Sequence, residues 1–258
     1  ARTSDITIVV VGESMNLVGE GKDRQNLNMN ERDVKLLQAV RASGCPAATV
    51  LMHGRPFVMT PADEYSDAIL DAWYPGEFGG KAIVEALFGD INPSGKLTVS
   101  VPRSQGQLPV TYLKKRSFKH WYVDGNTIPL YAFGHGLSYT TFKYGKLKMN
   151  DDKIAAGQNL NLVIPVTNTG SRDGDEVVQV YLKKMDDTEG PVKTLRAFKR
   201  VRIPAGKTVE VKFSLNDTQL EWWDEQSNTM RVCPGNYTVM IGGTSCEKSL
   251  LSRTFTIR

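Results

Sequence analysis

The sequence predicts two domains of different fold class, an α/β domain followed by an all-β domain. Up to about residue 102, apolar runs rich in β-branched residues alternate with helical patterns, which is typical of a mainly parallel sheet. From about residue 144 the helical periodicity disappears, and short alternating segments follow one another between turn residues. The chain has 258 residues, 40% apolar and 23% charged, which supports two ordinary hydrophobic cores.

The α/β part begins with a continuous apolar run at residues 6–11. We expect this run to form a strand that is covered on both faces. A loop rich in glycine, asparagine and charge follows. Asn30 is expected to cap the next helix, with Asp33 three residues later complementing the cap. Gly44 ends that helix.

The remaining elements of this part follow the same alternation. They are a buried strand at 47–52, a short apolar segment at 68–74, a helix that runs from Gly79 to Gly89, and an alternating segment at 97–101. Residues 103–143 show little periodicity and many aromatic residues, glycines and lysines. We predict that they form a long connecting segment between the domains.

Residues 144–258 are predicted to form a β-sandwich of the fibronectin-III or immunoglobulin kind. Turn residues rich in glycine, proline and asparagine separate segments at 160–166, 177–182, 197–203, 209–215 and 237–241. The adjacent indoles of Trp222 and Trp223 are expected to point in opposite directions, one into the core. The outward indole is a candidate platform for sugar rings.

Charge and apolar patterning exclude two classes of partner. The net charge is +4 and no run of five like charges occurs, so neither nucleic acid nor an anionic membrane is expected to bind. No stretch approaches eighteen apolar residues, so we predict no transmembrane helix. The first twelve residues resemble a buried strand more than a signal peptide.

Cysteine and histidine spacing argues against a disulfide scaffold and a metal site. Three cysteines without a CxxC motif exclude a cysteine-rich zinc site, and pairing of Cys233 with Cys246 is left open. His53, His120 and His135 are far apart in sequence, and structural roles are expected for them.

The loop after the first strand is the best candidate for chemistry. Three carboxylates and one guanidinium (Glu13, Glu20, Asp23 and Arg24) lie within twelve residues, beside flexible glycines, just after the carboxyl end of a parallel strand. Open α/β sheets bind their ligands beside the carboxyl ends of their strands. The loop lacks the GxGxxG and GxxxxGK[ST] patterns of nucleotide sites. A solvated polar loop without function is the alternative interpretation.

Several motifs make the chain similar to the C-terminal part of glycoside hydrolase family 3 enzymes of the bacterial periplasmic β-glucosidase type. In family order these motifs are VVVGES (9–14), GEGKDRQNL (19–27), VLMHGRP (50–56), DAILDAWYPGEFGG (67–80), ALFGDINPSGKL (86–97), PLYAFGHGLSYTTF (129–142) and VTNTGSRDGDEVVQVYL (166–182). The resemblance implies that residues 1–102 are the second half of the family's α/β sandwich domain. It implies a linker at 103–143 and a fibronectin-III-like domain at 144–258.

The resemblance also implies an activity. Family members are retaining, exo-acting β-glycosidases, and no metal or organic cofactor is expected, since protonation by a carboxylic acid needs neither. Their nucleophile is an Asp on a barrel, and Glu20 matches their general acid/base. Two carboxyl groups about 5 Å apart are what a retaining mechanism requires. We expect Asp23 and Arg24 to fix the loop or contact sugar hydroxyls. Glu13 is the rival for the acid/base role, but because it is closer to the strand end it is expected to orient the loop.

The sequence lacks the barrel that the resemblance implies. Ser66-Asp67 falls inside the DAILDAW match and so is not the nucleophile, and Phe118-Lys119-His120 lies in the linker rather than at the barrel's Lys-His pair. We therefore expect half an active site and no hydrolysis by this chain alone. The expected partners are the N-terminal barrel portion of the same enzyme and a β-linked gluco- or oligosaccharide, with a homodimer left open.

Two alternatives to a β-glucosidase remain at this point. One is a non-catalytic carbohydrate-binding or adhesion module, for which the exposed indole would matter most. The other is a family 3 β-xylosidase, since the barrel residues that set specificity are not in the sequence. A periplasmic or secreted location is implied by the family alone.

Overall fold

A computed structural model describes residues 1–115 and 121–258, which form two units. Unit 1 contains Ala1–Ile91, Val99–Val110 and Thr127–Tyr131. Unit 2 contains Asn92–Thr98, the described part of Thr111–Asn126, and Ala132–Arg258. The predicted class, α/β followed by all-β, is confirmed, while the domain boundaries at residues 102 and 143 stay predictions.

Unit 1 is built on a parallel three-stranded sheet in the order β1-β2-β3. Its elements are β1 (Thr7–Gly12), α1 (Glu31–Ala42), β2 (Ala47–Met52), α2 (Thr60–Tyr65), β3 (Ala68–Asp71) and α3 (Gly79–Phe88). The central strand β2 is almost wholly buried, as the prediction for 47–52 required.

The prediction that the first strand is covered on both faces is wrong. Val9 and Val11 are buried, but Ile6, Ile8 and Val10 on the opposite face are 57%, 41% and 58% exposed. The physical reason is that side chains on the two faces of a strand are buried by whatever packs on each face, and α1 packs against β1. Among the described residues, nothing buries its second face.

Helix α1 begins as predicted, with one difference. The Asn30 side chain accepts a hydrogen bond from the Arg32 amide and so caps the helix, and Leu37 and Val40 face the core. Asp33, however, does not complement the cap, because its carboxylate accepts a hydrogen bond from the Gly12 amide at 3.2 Å. Asp33 thus ties the helix to the end of β1.

The remaining elements of unit 1 agree only in part with the predictions from the sequence pattern. Helix α3 ends at Phe88, and Gly89 caps it with a φ of 81°, as predicted. The six-residue helix α2 was not predicted. The segment at 97–101 is not a strand, since only Val101 forms a bridge, to Tyr131.

Unit 2 is a sandwich built from two principal sheets. One has the order β10-β7-β4 with β5 also paired to β7, the other has the order β6-β14-β13-β8-β9, and β11 and β12 form a separate hairpin. The strands are β4 (Phe142–Tyr144), β5 (Lys148–Met149), β6 (Lys153–Ile154), β7 (Leu160–Asn168), β8 (Gly174–Lys184), β9 (Thr194–Ile203), β10 (Thr208–Leu215), β11 (Trp222–Asp224), β12 (Thr229–Arg231), β13 (Gly235–Gly242) and β14 (Leu251–Ile257), with helix α4 (Asp217–Leu220) between β10 and β11.

The core of unit 2 follows from the period of two along its strands. On β7, alternate apolar residues from Leu160 to Val166 are fully buried, and they join one cluster with Val180 and Val239 of the other sheet. The adjacent indoles separate as predicted, because Trp222 is 3% exposed and Trp223 is 50% exposed.

Two further predictions have a structural outcome. Among the residues that the model describes, no helix is both long and apolar enough to cross a membrane. Cys45, Cys233 and Cys246 are all free thiols, so the pairing that the sequence left open is absent.

Candidate functional site

The candidate site lies where the three parallel strands of unit 1 end. Glu13 follows β1 directly, His53 follows β2 directly, and Asp71 is the last residue of β3. Because parallel strands present their carboxyl ends at one edge, these polar side chains gather there from three separate parts of the sequence. The loop that carries Glu20 begins at the same edge.

Glu13 is a buried anchor for this loop. Its amide donates to Met52 O at 2.8 Å, and its carbonyl accepts from the Tyr74 hydroxyl at 2.8 Å. Its carboxylate lies 2.7 Å from Arg24 Nη1 and 3.3 Å from Arg55 Nε. A buried carboxylate is costly unless it is paired, and two guanidinium groups provide the pairing.

Tyr74 is kept in its neutral, donating form. Burial raises the pKa of the Tyr74 phenol above its ordinary value of 10.0, and the neighbouring Glu13 carboxylate raises it further. A phenol at its ordinary pKa is already neutral at neutral pH, and the Tyr74 hydroxyl donates to Glu13 O. This bond links the segment after β3 to the residue after β1.

Two consecutive turns form the loop that follows Glu13. The Leu17 amide donates to Ser14 O at 2.8 Å and closes the first turn, and the Lys22 amide donates to Gly19 O at 3.2 Å and closes the second. Glu20 and Gly21 are the central residues of the second turn. Gly21 has a φ of 69°, the left-handed region that favours glycine at this turn position.

The predicted site residues divide by exposure. Glu20 and Asp23 are exposed, so their carboxylates are open to a ligand or to another surface. Arg24 instead turns back toward the protein, where it contacts Glu13 and donates to Asn28 O at 3.3 Å. For Arg24, these contacts favour fixing the loop over contacting sugar hydroxyls.

Arg55 belongs to this site, although sequence reasoning did not single it out. Its Nη2 donates to Leu17 O and to Lys22 O, each at 3.0 Å. Lys22 adds a bond from its own Nζ to Met15 O at 2.9 Å. A signal was present, because Arg55 lies three residues after the end of the second parallel strand and inside the HGRP motif.

His53 and Asp71 form a pair beneath Arg55. His53 is 1% exposed; its Nε2 is hydrogen-bonded to Asp71 Oδ1, and its Nδ1 lies 2.8 Å from Arg55 O. A carbonyl oxygen can only accept, so Nδ1 carries a proton and donates it. The rings of Phe57 and Trp73 each lie 4.7 Å from the imidazole.

The arrangement presents the exposed Glu20 carboxyl group on a turn that is held by the buried Glu13 carboxylate and the partly buried guanidinium groups of Arg24 and Arg55. Such a group can donate or accept a proton at a ligand. Among the described residues, no cluster of three or more His, Cys, Asp or Glu side chains is placed to hold a metal ion. Lys119 and His120, which the sequence analysis set apart from the site, lie outside the described residues.

Family models match both parts of the chain. The Glycosyl hydrolase family 3 C-terminal domain matches residues 1–139, which is more than half of the chain. The Fibronectin type III-like domain matches residues 176–245. The first match includes the whole loop that carries Glu20, and the second lies within unit 2.

Relatives with curated names and with solved structures agree with these matches. A beta-xylosidase of Formosa agariphila is 39% identical over 100% of this chain, and a periplasmic beta-glucosidase of Salmonella typhimurium is 37% identical over 96% of it. The crystal structure of a beta-glucosidase from Listeria innocua in complex with glucose aligns over 99% of this chain with a TM-score of 0.91 and 29% identity. This chain spans 36%, 34% and 37% of those three proteins, about a third of their length.

Proposed function

The chain belongs to glycosyl hydrolase family 3, and from this premise we propose that it is the C-terminal portion of a retaining β-glycosidase whose general acid/base is Glu20. The observation that carries the proposal is the exposed Glu20 carboxyl group on a turn anchored at the carboxyl edge of the parallel sheet. The nucleophile is proposed to lie on a barrel outside this chain.

Glu20 would perform two proton transfers in this mechanism. In the first step the protonated carboxyl donates to the glycosidic oxygen while the barrel carboxylate attacks the anomeric carbon and the leaving group departs. In the second step the Glu20 carboxylate takes a proton from water, which then displaces the sugar from the barrel carboxylate. Retention requires the two carboxyl groups to be about 5 Å apart, so Glu20 must reach a surface outside this chain.

The other carboxylates of the site suit different tasks. Glu13 faces two guanidinium groups at 2.7 and 3.3 Å, so its charge is already neutralised and it suits anchoring better than proton transfer. Asp23 is exposed three residues after Glu20 and is proposed to contact sugar hydroxyls. Arg24 is proposed to hold the start and the end of the loop together.

A conservative exchange at Glu20 tests the acid/base assignment in the complete enzyme, meaning this chain together with the barrel portion. Glu20→Gln should lower kcat/KM by about 10²–10⁴-fold for alkyl β-glycosides, whose leaving groups need a proton. Activated aryl glycosides, whose leaving groups need little protonation, should lose much less in the first step. Added azide, which needs no general base, should accelerate the second step and form a glycosyl azide of retained configuration.

Glu31→Gln is the matched control, because Glu31 is an exposed carboxylate of the same unit whose ion pair with Lys35 lies on α1. It should leave both substrate classes unaffected. If Glu20→Gln lowers kcat/KM equally for substrates with good and poor leaving groups and does not respond to azide, Glu20 is not the general acid/base.

The substrate class is proposed to be β-glucosides, with β-xylosides as the closest competitor. The relatives reported above carry both names. A β-xyloside lacks only the exocyclic hydroxymethyl group of a β-glucoside, so matched aryl glycosides measure the discrimination directly. A higher kcat/KM for the β-glucoside supports the first choice, and a higher value for the β-xyloside reverses it.

We further propose that the chain is inactive without the barrel portion and that it acts in the periplasm or outside the cell. Sensitive aryl-glycoside assays on the purified 258-residue chain should give no turnover. The intact mass of the native protein shows whether the chain is joined to the barrel portion or associated with it. Cell fractionation tests the location, which the periplasmic relative supports.

A second candidate function rests on Trp223. Its indole is 50% exposed on the hairpin β11–β12, beside Met230, which is 45% exposed on the paired strand. A flat exposed indole can stack on sugar rings, so unit 2 is proposed as a glycan-binding module. Binding of insoluble glycan by the chain with Glu20→Gln would favour this function over catalysis alone.

A further inference from the structure

Arg55 contacts the Glu20 loop at two points, one on each side of Glu20. Leu17 O and Lys22 O accept from the same Nη2 atom, and each of these residues closes one of the two turns. Arg55 Nε faces the buried Glu13 carboxylate at 3.3 Å. One guanidinium group therefore joins both turns of the loop to the anchor at the strand end.

Arg55 is itself held in place from below. Its carbonyl accepts a hydrogen bond from His53, which is fixed in turn by Asp71 and by the rings of Phe57 and Trp73. Trp73 has a φ of 51°, an unusual conformation for a bulky residue that persists only where surrounding contacts impose it. The residues that support Arg55 are thus held by several contacts at once.

The backbone next to Arg55 is closely packed against the loop. A Cβ atom at Gly54 would lie 2.8 Å from side-chain carbons of both Val18 and Tyr74. Val18 connects the two turns, so its side chain rests directly on the Gly54 backbone. The loop is therefore fixed to the segment after β2 by packing as well as by hydrogen bonds.

The chemistry of a guanidinium group suits this position. Nη2 carries two N–H donors, one for each carbonyl oxygen, while the delocalised charge of the group forms an ion pair with the Glu13 carboxylate, a combination that a lysine ammonium does not reproduce with the same geometry. Glu20 has a glycine on each side, and without a fixed partner such a turn samples many conformations. Misplacing a catalytic group by about 1 Å can lower a rate by about a hundredfold.

We propose that Arg55 is a positioning residue for Glu20, which it holds in the proton-donating geometry through Leu17 O and Lys22 O. The inference rests on the proposed acid/base role of Glu20. Arg55 does not touch the substrate in this proposal. Its contribution is confined to the steps in which a proton is transferred.

Hydrogen–deuterium exchange of the 258-residue chain tests the structural half of the proposal without any need for activity. Arg55→Ala should raise the exchange rates of the Leu17 and Lys22 amides about tenfold or more, because the turns they close lose their common support. Exchange in β2 and α1 should not change. Arg41→Ala is the control, since Arg41 is a surface arginine of the same unit whose partner is Asp67.

Kinetics of the complete enzyme test the functional half. Arg55→Ala should lower kcat/KM for an alkyl β-glycoside about tenfold more than for a 2,4-dinitrophenyl β-glycoside, with KM changing little. A merely structural role would lower both by the same factor. Arg55→Lys should restore stability but not the leaving-group profile, and it replaces Arg55→Ala if that variant does not fold.

The outcomes separate this proposal from the proposed function. If Glu20→Gln shows the leaving-group dependence but the Arg55 variants do not, the positioning role is wrong and the acid/base assignment stands. If Glu20→Gln shows none, the assignment itself fails. Unchanged exchange of the loop amides in Arg55→Ala would overturn the positioning role on structural grounds.

Discussion

The carboxylate of Glu13 lies 2.7 Å from the guanidinium of Arg24, so the first residue after β1 binds the far end of the loop that carries Glu20. Glu13 is only 8% exposed, and the Arg24 side chain is 24% exposed. An ion pair at this depth is screened less by solvent than one at the surface. The contact closes the loop into a defined ring of residues.

Glu13→Ala should therefore destabilise the chain. Loss of the carboxylate leaves Arg24 and Arg55 without their common partner, and we expect the free energy of unfolding to fall by about 1–3 kcal/mol. Glu13→Gln keeps the shape and should cost less. Chemical denaturation of the 258-residue chain measures both, and a cost for Glu13→Ala no larger than for Glu31→Ala on the exposed face of α1 would contradict the anchoring role.

Gly12 should tolerate no side chain. Its φ is 140°, and a Cβ atom would lie too close to the carbonyl oxygen of Met52 on the paired strand. Gly12→Ala must therefore separate β1 from β2 at the edge where the site lies. Gly44→Ala is the matched control, because Gly44 has a φ of 75° but open space around it.

The left-handed backbone conformation alone should make Gly44→Ala lower the free energy of unfolding by about 1–2 kcal/mol. Gly12→Ala adds a clash with rigid backbone and should cost about 1–3 kcal/mol more. Thermal unfolding of the two variants gives the comparison. Equal shifts in Tm would show that β1 and β2 can separate here without penalty.

Periodicity predicted the elements whose pattern is local. Strand β2 and helix α3 match their predicted spans closely, because buried β-branched runs and a closing glycine are visible in sequence. The burial of β1 was not predictable in the same way, since the cover on each face depends on what packs there. Helix α2 is only six residues long and lacks a side-chain cap, so few local signals mark it.

The candidate site was predictable only in part. The loop with Glu13, Glu20, Asp23 and Arg24 was found because a polar loop after a parallel strand stands out. Arg55 was missed because it contacts backbone carbonyls of the loop, and a carbonyl acceptor leaves no trace in residue type. Asp33 was misassigned for a related reason, as its partner is the Gly12 amide and not its own helix.

Asp67 should make stability depend on acid pH. Its carboxylate accepts from the Ala47 amide at 2.9 Å and pairs with Arg41, and these contacts, the backbone bond first, lower its pKa below the ordinary value of 3.8. A carboxyl group whose pKa is lower in the folded state stabilises that state at higher pH. The stabilisation by Asp67 is therefore fully present above pH 3.8, its ordinary pKa, and is lost as the pH falls through its lower pKa in the folded state.

The difference in unfolding free energy between the unmodified chain and Asp67→Asn should be larger at pH 6 than at pH 3. Urea denaturation at the two pH values gives this difference. Asp90→Asn, at an exposed position of the same unit, controls for the general effect of removing one negative charge. A larger stability difference between the two proteins at pH 3 than at pH 6 would contradict the predicted lowering of the Asp67 pKa on folding.

Truncation of Trp222 should destabilise the chain strongly, whereas truncation of Trp223 should hardly affect its stability. The Trp222 indole is 3% exposed, donates from Nε1 to Asp187 at 2.6 Å and packs edge-on against Tyr237. Trp222→Ala should therefore lower the free energy of unfolding by about 3–5 kcal/mol. Trp223→Ala removes a half-exposed ring and should change it by no more than about 0.5 kcal/mol.

This separation makes Trp223→Ala a clean probe of glycan binding, because its stability is preserved. Pull-down with insoluble xylan and cellulose compares the unmodified chain, Trp223→Ala and Glu20→Gln. Binding that persists in Glu20→Gln and disappears in Trp223→Ala would place a glycan platform on unit 2, independent of the proposed catalytic loop. Equal binding by all three would assign no such role to the exposed indole and would leave the chain's proposed contribution in the Glu20 loop.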